Sequence, residues 1–243
     1  MNRFFISDVN INIGDTLILN DIDIVNHIIN VLRLDKFNKI EIVSNDKIEY
    51  IAEILSYSKK EVLINVIDVI EIERELSANI TLFQGLPKAK KLETIVQKTV
   101  ECGVYEITPI NMRYCVKKID KKSDKIIERL NKISLSAAEQ SKRSYVPVVN
   151  DLKNFVDILD SLSSFDMVLL LDEREKSKKI KDLENEIKLC KKIAIIVGSE
   201  GGIAEDEREK LNSKAVSITL GNRILRTETA AIYALSQLGY ILN

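Results

Sequence analysis

Two glycine-bearing segments near the end of the chain carry the residues whose types and spacing could do chemistry. Only eight glycines occur among 243 residues, yet Gly198, Gly201, Gly202 and Gly221 fall within one 24-residue window. A chain that uses glycine so sparingly places it where the backbone needs a positive φ or a close approach to a ligand. The pattern predicts a ligand site built from main-chain groups. It matches neither a Walker A loop nor a dinucleotide-binding Gly-x-Gly-x-x-Gly.

The second segment adds a cation and a helix start. Arg226 precedes Thr227, Glu228 and Thr229; either threonine is a candidate N-cap, and Glu228 suits the positive helix end. Taken alone, this pattern is that of a capped helix with a snorkelling arginine, and a Gly-Gly pair is more often a turn than a site.

Composition excludes several other chemistries. The single histidine, His27, and three cysteines without metal-ligand spacing predict neither a zinc site nor a Ser-His-Asp triad. The apolar runs are far shorter than the roughly 20 residues of a membrane span, and the first residues lack a signal-peptide pattern. A cytoplasmic protein without bound metal or membrane contact is the expectation.

The charge is unevenly distributed along the chain. Its formal total is −1, but residues 1–76 carry −6 and residues 88–143 carry +7. A basic segment beside an acidic one is typical of a protein that binds nucleic acid. Lysine-rich helix faces exposed to water are the commoner explanation of such a segment.

The elements that must position these residues follow from hydrophobic periodicity. The first part predicts short strands and one helix, which suggests a small β-barrel module. The strands are expected over 3–6, 16–19, 39–43, 48–54 and 62–69, with the helix over 23–34.

From residue 79 onward, strands and helices alternate, which implies a mostly parallel sheet covered by helices. The strand over 105–108 is expected to stop at Pro109. The other strands are predicted over 79–83, 167–171, 192–197 and 216–220, and the helices over 90–102, 121–142, 205–211 and 227–241.

Six segments, in order over nearly the whole chain, match the motifs of one family. Residues 197–202 are similar to a Gly-Pro-Glu-Gly-Gly motif, with Ser199 in place of the proline. Residues 220–230 are similar to Leu-Gly-x-Arg-(Ile/Val)-Leu-Arg-x-Glu-Thr-Ala. The other matching segments are 27–33, 97–104, 109–113 and 138–143. Together they resemble the RsmE family of 16S rRNA (uracil-N(3))-methyltransferases.

The resemblance implies a PUA-like RNA-binding β-barrel over residues 1–74. It implies a SPOUT α/β methyltransferase domain with a C-terminal trefoil knot over residues 75–243. The implied protein is a homodimer that uses S-adenosyl-L-methionine to methylate ring nitrogen 3 of a uridine in 16S rRNA, within the small ribosomal subunit. A ribose 2′-hydroxyl acceptor and a non-catalytic RNA-binding protein are the alternatives.

The residues of this chain can then be given expected roles. An in-line methyl transfer needs close contact of donor and acceptor and stabilisation of charge on the uracil. Arg226 is predicted to supply that stabilisation, while Glu139 and Glu228 are candidate bases, with a dimer or capping contact as an equally weighted alternative. The predicted cofactor-binding residues are Leu171, Gly198, Glu200, Gly201, Gly202, Leu220, Gly221, Ile224, Leu225 and Thr229. The predicted RNA-binding residues are Arg3, His27 (equally well a core histidine), Arg33, Lys90, Lys91, Arg113 and Arg143.

Overall fold

A computed structural model describes residues 1–88, 91–115 and 123–243. The chain divides into two compact units. Unit 1 contains residues 1–74 and 138–145, and unit 2 contains residues 75–137 and 146–243. The family resemblance implies a single boundary between residues 74 and 75, whereas the structure also groups residues 138–145 with the first unit.

Unit 1 is built on a five-stranded sheet with the order β1-β3-β4-β5-β2. The β1–β3 pair is parallel and the other pairs are antiparallel. Register shifts between β4 and β5 mark bulges, which increase the local twist of a sheet. The strands are β1 (Arg3–Phe5), β2 (Thr16–Leu19), β3 (Lys39–Val43), β4 (Glu49–Tyr57) and β5 (Val62–Ile70).

One helical stretch packs on this sheet. Helix α1 (Ile22–Asn26) begins at Asp21, whose carboxylate accepts the N–H groups of Asp23 and Ile24. It continues as a π-helical turn, His27–Val31, so the stretch is shorter than predicted and changes its hydrogen-bond pattern midway. Apolar side chains from this stretch and from the strands form one buried cluster, which gives unit 1 its own core.

Unit 2 is built on a sheet in which every pairing is parallel, as the strand–helix alternation predicts. The order is β12-β10-β11-β6-β7-β8, with β9 also paired to β7. Its central strands are buried on both faces, which explains their continuous Ile and Val runs. The strands are β6 (Asn79–Gly85), β7 (Glu106–Asn111), β8 (Val148–Val149), β9 (Lys153–Asn154), β10 (Met167–Leu171), β11 (Lys192–Val197) and β12 (Val216–Ile218).

The described residues of the rest of the chain form six further α-helices. Helix α3 ends among the residues assigned to unit 1, while α2 and α7 pack against each other in unit 2. None of the helices in the described part of the chain has the length and apolarity needed to cross a bilayer. The helices are α2 (Lys91–Glu101), α3 (Ser123–Gln140), α4 (Phe155–Ile158), α5 (Glu184–Ile187), α6 (Glu205–Leu211) and α7 (Thr227–Leu242).

The expectation that a strand stops at Pro109 is wrong. Strand β7 continues through Pro109, which pairs with Gln84 of β6. On its other edge β7 pairs with β8 only through residues 106–107 and with β9 only through residues 110–111. The proline therefore lies in the gap between these two short strands, where its missing N–H breaks no ladder.

Candidate functional site

A cleft of about 550 Å³ opens in unit 2 at the carboxyl ends of three neighbouring parallel strands. Strands β12, β10 and β11 are adjacent in the sheet, so the loops that follow them meet at one edge. These loops supply residues 171–173, 197–202 and 218–226 of the lining. Lys91 of α2 and the first turn of α7 complete it.

The loop over residues 198–202, called here the glycine loop, is folded so tightly that side chains would obstruct it. A Cβ on Gly198 would lie 3.0 Å from the carbonyl group of Gly202, and Gly202 itself has a φ of +75°. A Cβ on Gly201 would lie 2.6 Å from the Cβ of Tyr114. The glycines therefore permit the close packing that gives this loop its shape beside the cleft.

The loop after β12 presents a different kind of surface. Gly221 has a φ of +112°, and a Cβ there would meet nothing within 4 Å, so it borders open space. The N–H of Thr219 donates to the carbonyl of Lys178 at 2.7 Å, which joins this loop to the one after β10. Further along, Ile224 is 91% exposed and leaves an apolar side chain at the cleft.

The start of α7 is tied to the glycine loop by a buried threonine. The hydroxyl of Thr227 donates to the carbonyl of Gly198 at 2.7 Å and accepts from Gln84 at 2.9 Å. Arg226 occupies the N-cap position with extended backbone (ψ 153°), so the expectation that Thr227 or Thr229 caps the helix is wrong. The Thr227 side chain instead bridges two cleft loops, and sequence spacing could not distinguish that role from capping.

A lysine and two carboxylates form an ion-pair cluster in the cleft wall. The ammonium of Lys91 lies 3.2 Å from Glu200 and 3.2 Å from Glu228. Partial burial opposes ionisation of Glu200, but the Lys88 N–H (2.9 Å) and Lys91 outweigh it and lower the pKa of Glu200. The hydrogen bonds to Glu200 and Glu228 raise the pKa of Lys91 against partial desolvation.

Asp172, which comes directly after β10, is a cleft residue that is not among those predicted from the sequence. Its buried carboxylate pairs with Arg208 of α6, and Arg208 also donates to the carbonyl of Ile203 at 3.3 Å. This contact fixes the loop after β10 to the chain that follows the glycine loop. The signal was its position at the carboxyl end of a strand, where ligand-binding residues collect.

Nine of the ten predicted cofactor-binding residues line the cleft, and Thr229 does not. Thr229 is exposed, while Thr227 and Ala230 of the same helix face the cleft. Two residues along a helix correspond to nearly opposite faces, which is why Thr229 points elsewhere. The nine are Leu171, Gly198, Glu200, Gly201, Gly202, Leu220, Gly221, Ile224 and Leu225.

The three predicted catalytic residues lie in different surroundings. Arg226 is exposed and lines the cleft, and its guanidinium forms no ion pair within the described ranges. Glu228 is engaged by Lys91. Glu139 belongs to unit 1 and is not among the cleft residues; burial raises the pKa of its carboxyl to about 7.

Two predicted RNA contacts, Arg3 and Arg143, are corrected by the structure. The Arg3 side chain is 0% exposed and forms ion pairs with Glu41 and Glu49. Its guanidinium also donates to the carbonyls of Lys142 and Arg143 at 2.9 and 2.7 Å. Because Arg143 is itself only 4% exposed, neither guanidinium is presented to a phosphate.

The other predicted RNA contacts have varied environments. Arg33 is exposed, whereas His27 is half-buried with its ring edge-to-face on Phe4 at 5.7 Å, which favours the core role. Arg113 is exposed and pairs with Asp206 at 2.9 Å. Lys91 lies in the cleft wall, and Lys90 lies outside the described residues. Within the part of the chain that is described, no three His, Cys, Asp or Glu side chains are grouped as metal ligands.

Two family models match the chain. The RNA methyltransferase domain matches residues 74–239, and the RNA methyltransferase PUA domain matches residues 12–67. The first match covers all three loops of the cleft, and the second lies within unit 1.

Named relatives and solved structures agree with these matches. Ribosomal RNA small subunit methyltransferase E of Bacillus subtilis is 40% identical over 89% of this chain and 87% of its own length. The protein of the same name from Mesomycoplasma hyopneumoniae is 33% identical over 98% of both chains. The crystal structure of that enzyme from Neisseria gonorrhoeae, bound to S-adenosyl methionine, superposes with a TM-score of 0.87 at 30% identity, covering 98% of this chain and 96% of the other.

Proposed function

This chain belongs to the RNA methyltransferase family, and we propose that it methylates ring nitrogen 3 of a uridine in 16S rRNA with S-adenosyl-L-methionine. The observation that carries this proposal is the cleft of unit 2. Its walls include two glycine-bearing loops, which follow the strands on either side of β10, and an arginine without an ion-pair partner among the described residues lines it.

The cleft residues fit S-adenosyl-L-methionine by their chemistry. Leu171, Leu220, Ile224 and Leu225 offer apolar side chains for an adenine, with main-chain groups beside them. The open space at Gly221 and the bare backbone of the glycine loop allow the ribose and methionine portions a close approach. Concave pockets of this volume are typical of cofactor sites.

The bound cofactor would supply a methyl group on a positively charged sulfur, ready for transfer to a nucleophile. The chain has two tasks: to hold the uracil nitrogen in line and to stabilise the charge left when its proton departs. Arg226 suits the second task because a guanidinium is permanently charged and offers a planar fork of donors. The Thr227 contacts fix the backbone beside it.

The carboxyls of the two candidate bases, Glu139 and Glu228, have different surroundings. Burial raises the pKa of the Glu139 carboxyl to about 7, which suits proton transfer near neutral pH. Glu228, the other candidate, already pairs with Lys91 at 3.2 Å, a contact that a proton on its carboxylate would weaken.

Unit 1 is proposed to bind the ribosomal RNA of the small subunit. Its support is the match to the RNA methyltransferase PUA domain and the exposed Arg33 in unit 1. Arg113 of unit 2 is exposed as well and is proposed as a second contact. Such contacts release counterions from the phosphates, so RNA affinity should fall steeply with salt. The site of action is then the cytoplasm, where ribosomal subunits are assembled.

The finer features implied by the SPOUT resemblance are also proposed here. A trefoil knot is supported by the path of the C-terminal chain: β12 lies beyond β10 at the sheet edge, while α7 packs on α2. The Thr219–Lys178 hydrogen bond joins this path to the loop after β10. A homodimer is supported by Tyr233 and Tyr240, which lie seven residues apart on one exposed face of α7.

Mass spectrometry of 16S rRNA from cells that lack this chain tests the proposal. One N3-methyluridine should be absent and should return when the gene is restored. Calorimetry should show one S-adenosyl-L-methionine site per chain. A full complement of methylated uridines in the deletion strain, or no cofactor binding by the folded protein, would overturn the proposal.

A further inference from the structure

Lys91 connects three elements of the cleft wall through one ammonium group. It is the first residue of α2, Glu200 belongs to the glycine loop, and Glu228 lies in the first turn of α7. Both carboxylates lie 3.2 Å from its Nζ. All three side chains are partly shielded from water, so these pairs are screened less than fully exposed ones.

We propose that Lys91 is a positioning residue for methyl transfer and not an RNA contact. By binding both Glu200 and Glu228, Lys91 keeps the glycine loop in a fixed position relative to the start of α7, where Arg226 is the N-cap residue. The inference rests on the proposed function, because Arg226 acts on the uracil only in that reaction.

The charges of the cluster make this role specific. Without the lysine, Glu200 and Glu228 would face each other across the vacated site, and like charges repel. Glu200 keeps the Lys88 N–H as a partner, but Glu228 has no other side-chain partner among the described residues. The first turn of α7 is therefore the part that would move.

A second tether limits the size of that movement. The Thr227 hydroxyl still binds the carbonyl of Gly198 at 2.7 Å, so the glycine loop and the backbone of α7 stay joined. Loss of Lys91 should consequently change the orientation of the Arg226 side chain more than the shape of the cofactor cleft. The expected signature is a fall in kcat with little change in cofactor Kd or in KM for RNA.

A double-mutant cycle on the full-length protein tests the proposal. Lys91→Met should lower kcat by about 10–100-fold, since a misplacement on the order of 1 Å costs up to about 10²-fold. In a Glu228→Gln background the same change should cost several-fold less, because the repulsion is gone. Lys91→Arg should keep most of the activity. If Lys91→Met does not fold, Lys91→Gln takes its place in the cycle.

The controls separate the competing outcomes. Lys188→Met removes an ion pair with Glu184 on α5, outside the cleft, and should leave kcat unchanged. A raised KM for RNA with unchanged kcat in Lys91→Met, or effects of the two substitutions that simply multiply, would overturn the inference. A wild-type protein that binds cofactor but does not methylate 16S rRNA would refute the proposed function itself.

Discussion

Arg3 in unit 1 and Arg226 in unit 2 are both arginines to which the sequence assigns a role at the RNA substrate, but one is buried in the structure and the other is exposed. Arg3 is fully buried, and two glutamates and two carbonyls occupy its guanidinium. Arg226 is exposed at the cleft, and the described residues offer its guanidinium no carboxylate partner. Both were predicted from sequence to act on RNA or its bases.

The difference shows that partners, and not residue type, decide what an arginine can do. A buried guanidinium whose three nitrogens all donate to protein acceptors holds segments together and is shielded from a ligand. In unit 1 it joins residues 142–143 to strands β3 and β4. An arginine without such partners keeps its donors for charge that develops on a substrate.

The largest expected effect is on the stability of the protein. Arg3→Met should lower the free energy of unfolding by about 3–5 kcal/mol, as expected when one partner of a buried ion pair is removed. Without Arg3, Glu41 would keep Lys142 as its ion-pair partner, and Glu49 would keep Arg74. Urea unfolding measures the loss. Weakened RNA binding with unchanged stability would instead make Arg3 an RNA contact and erase the contrast with Arg226.

The next effect is on catalysis. Arg226→Ala should reduce the single-turnover methylation rate by about 10²–10³-fold, the equivalent of about 2.7–4 kcal/mol for one lost preorganised donor. Cofactor affinity and thermal stability should change little. Arg226→Lys should restore only part of the rate, because an ammonium lacks the planar fork. A parallel loss of cofactor binding would show that Arg226 is structural, like Arg3.

A smaller effect is expected on cofactor affinity. Gly201→Ala places a Cβ 2.6 Å from that of Tyr114, and such overpacking costs about 1–3 kcal/mol. Calorimetry should show weaker binding of S-adenosyl-L-methionine, by roughly tenfold for each 1.4 kcal/mol. Adding Tyr114→Gly removes the obstructing atom and should recover affinity. Wild-type affinity in Gly201→Ala would mean that the glycine loop does not border the cofactor.

The last effect is on the pH dependence of stability and concerns Glu139 of unit 1. No described residue donates a hydrogen bond to its carboxyl. Burial raises the pKa of its carboxyl to about 7 in the folded protein, against 4.5 as the reference value. The folded state therefore retains this proton longer, and stability is lost as pH rises from about 4.5 to about 7. The loss of stability is complete once the carboxyl is ionised in the folded protein, above about pH 7.

Glu139→Gln should remove this pH dependence. At pH 8 its Tm should exceed that of the wild type by several °C, because a neutral side chain then replaces a buried carboxylate. At pH 4 the two proteins should melt together, because both carry a neutral side chain. Differential scanning calorimetry at the two pH values makes the comparison, and an equal gap at both values would contradict it.

Much of the fold could be predicted because local patterns agreed with the final structure. The alternation and length of apolar runs located β10 and β11 with their observed bounds. Short elements such as β8 and β9 carry too few residues for any periodicity and were not predicted. Pro109 was misread because a proline stops a strand only where its partner edge needs the missing N–H.

The sequence by itself determined that unit 2 would bring Gly198, Gly201 and Gly221 to one sheet edge. Parallel strands place their carboxyl ends together whatever the details of packing, so loop position follows from strand order alone. Only the tertiary structure decided which charged side chains are occupied by ion pairs and hydrogen bonds within the protein. Partners such as Glu41 for Arg3 lie 38 residues away along the chain, and local spacing carries no information about contacts between distant segments. For the same physical reason, the Lys91 cluster and the Arg208–Asp172 pair could not be predicted from the sequence.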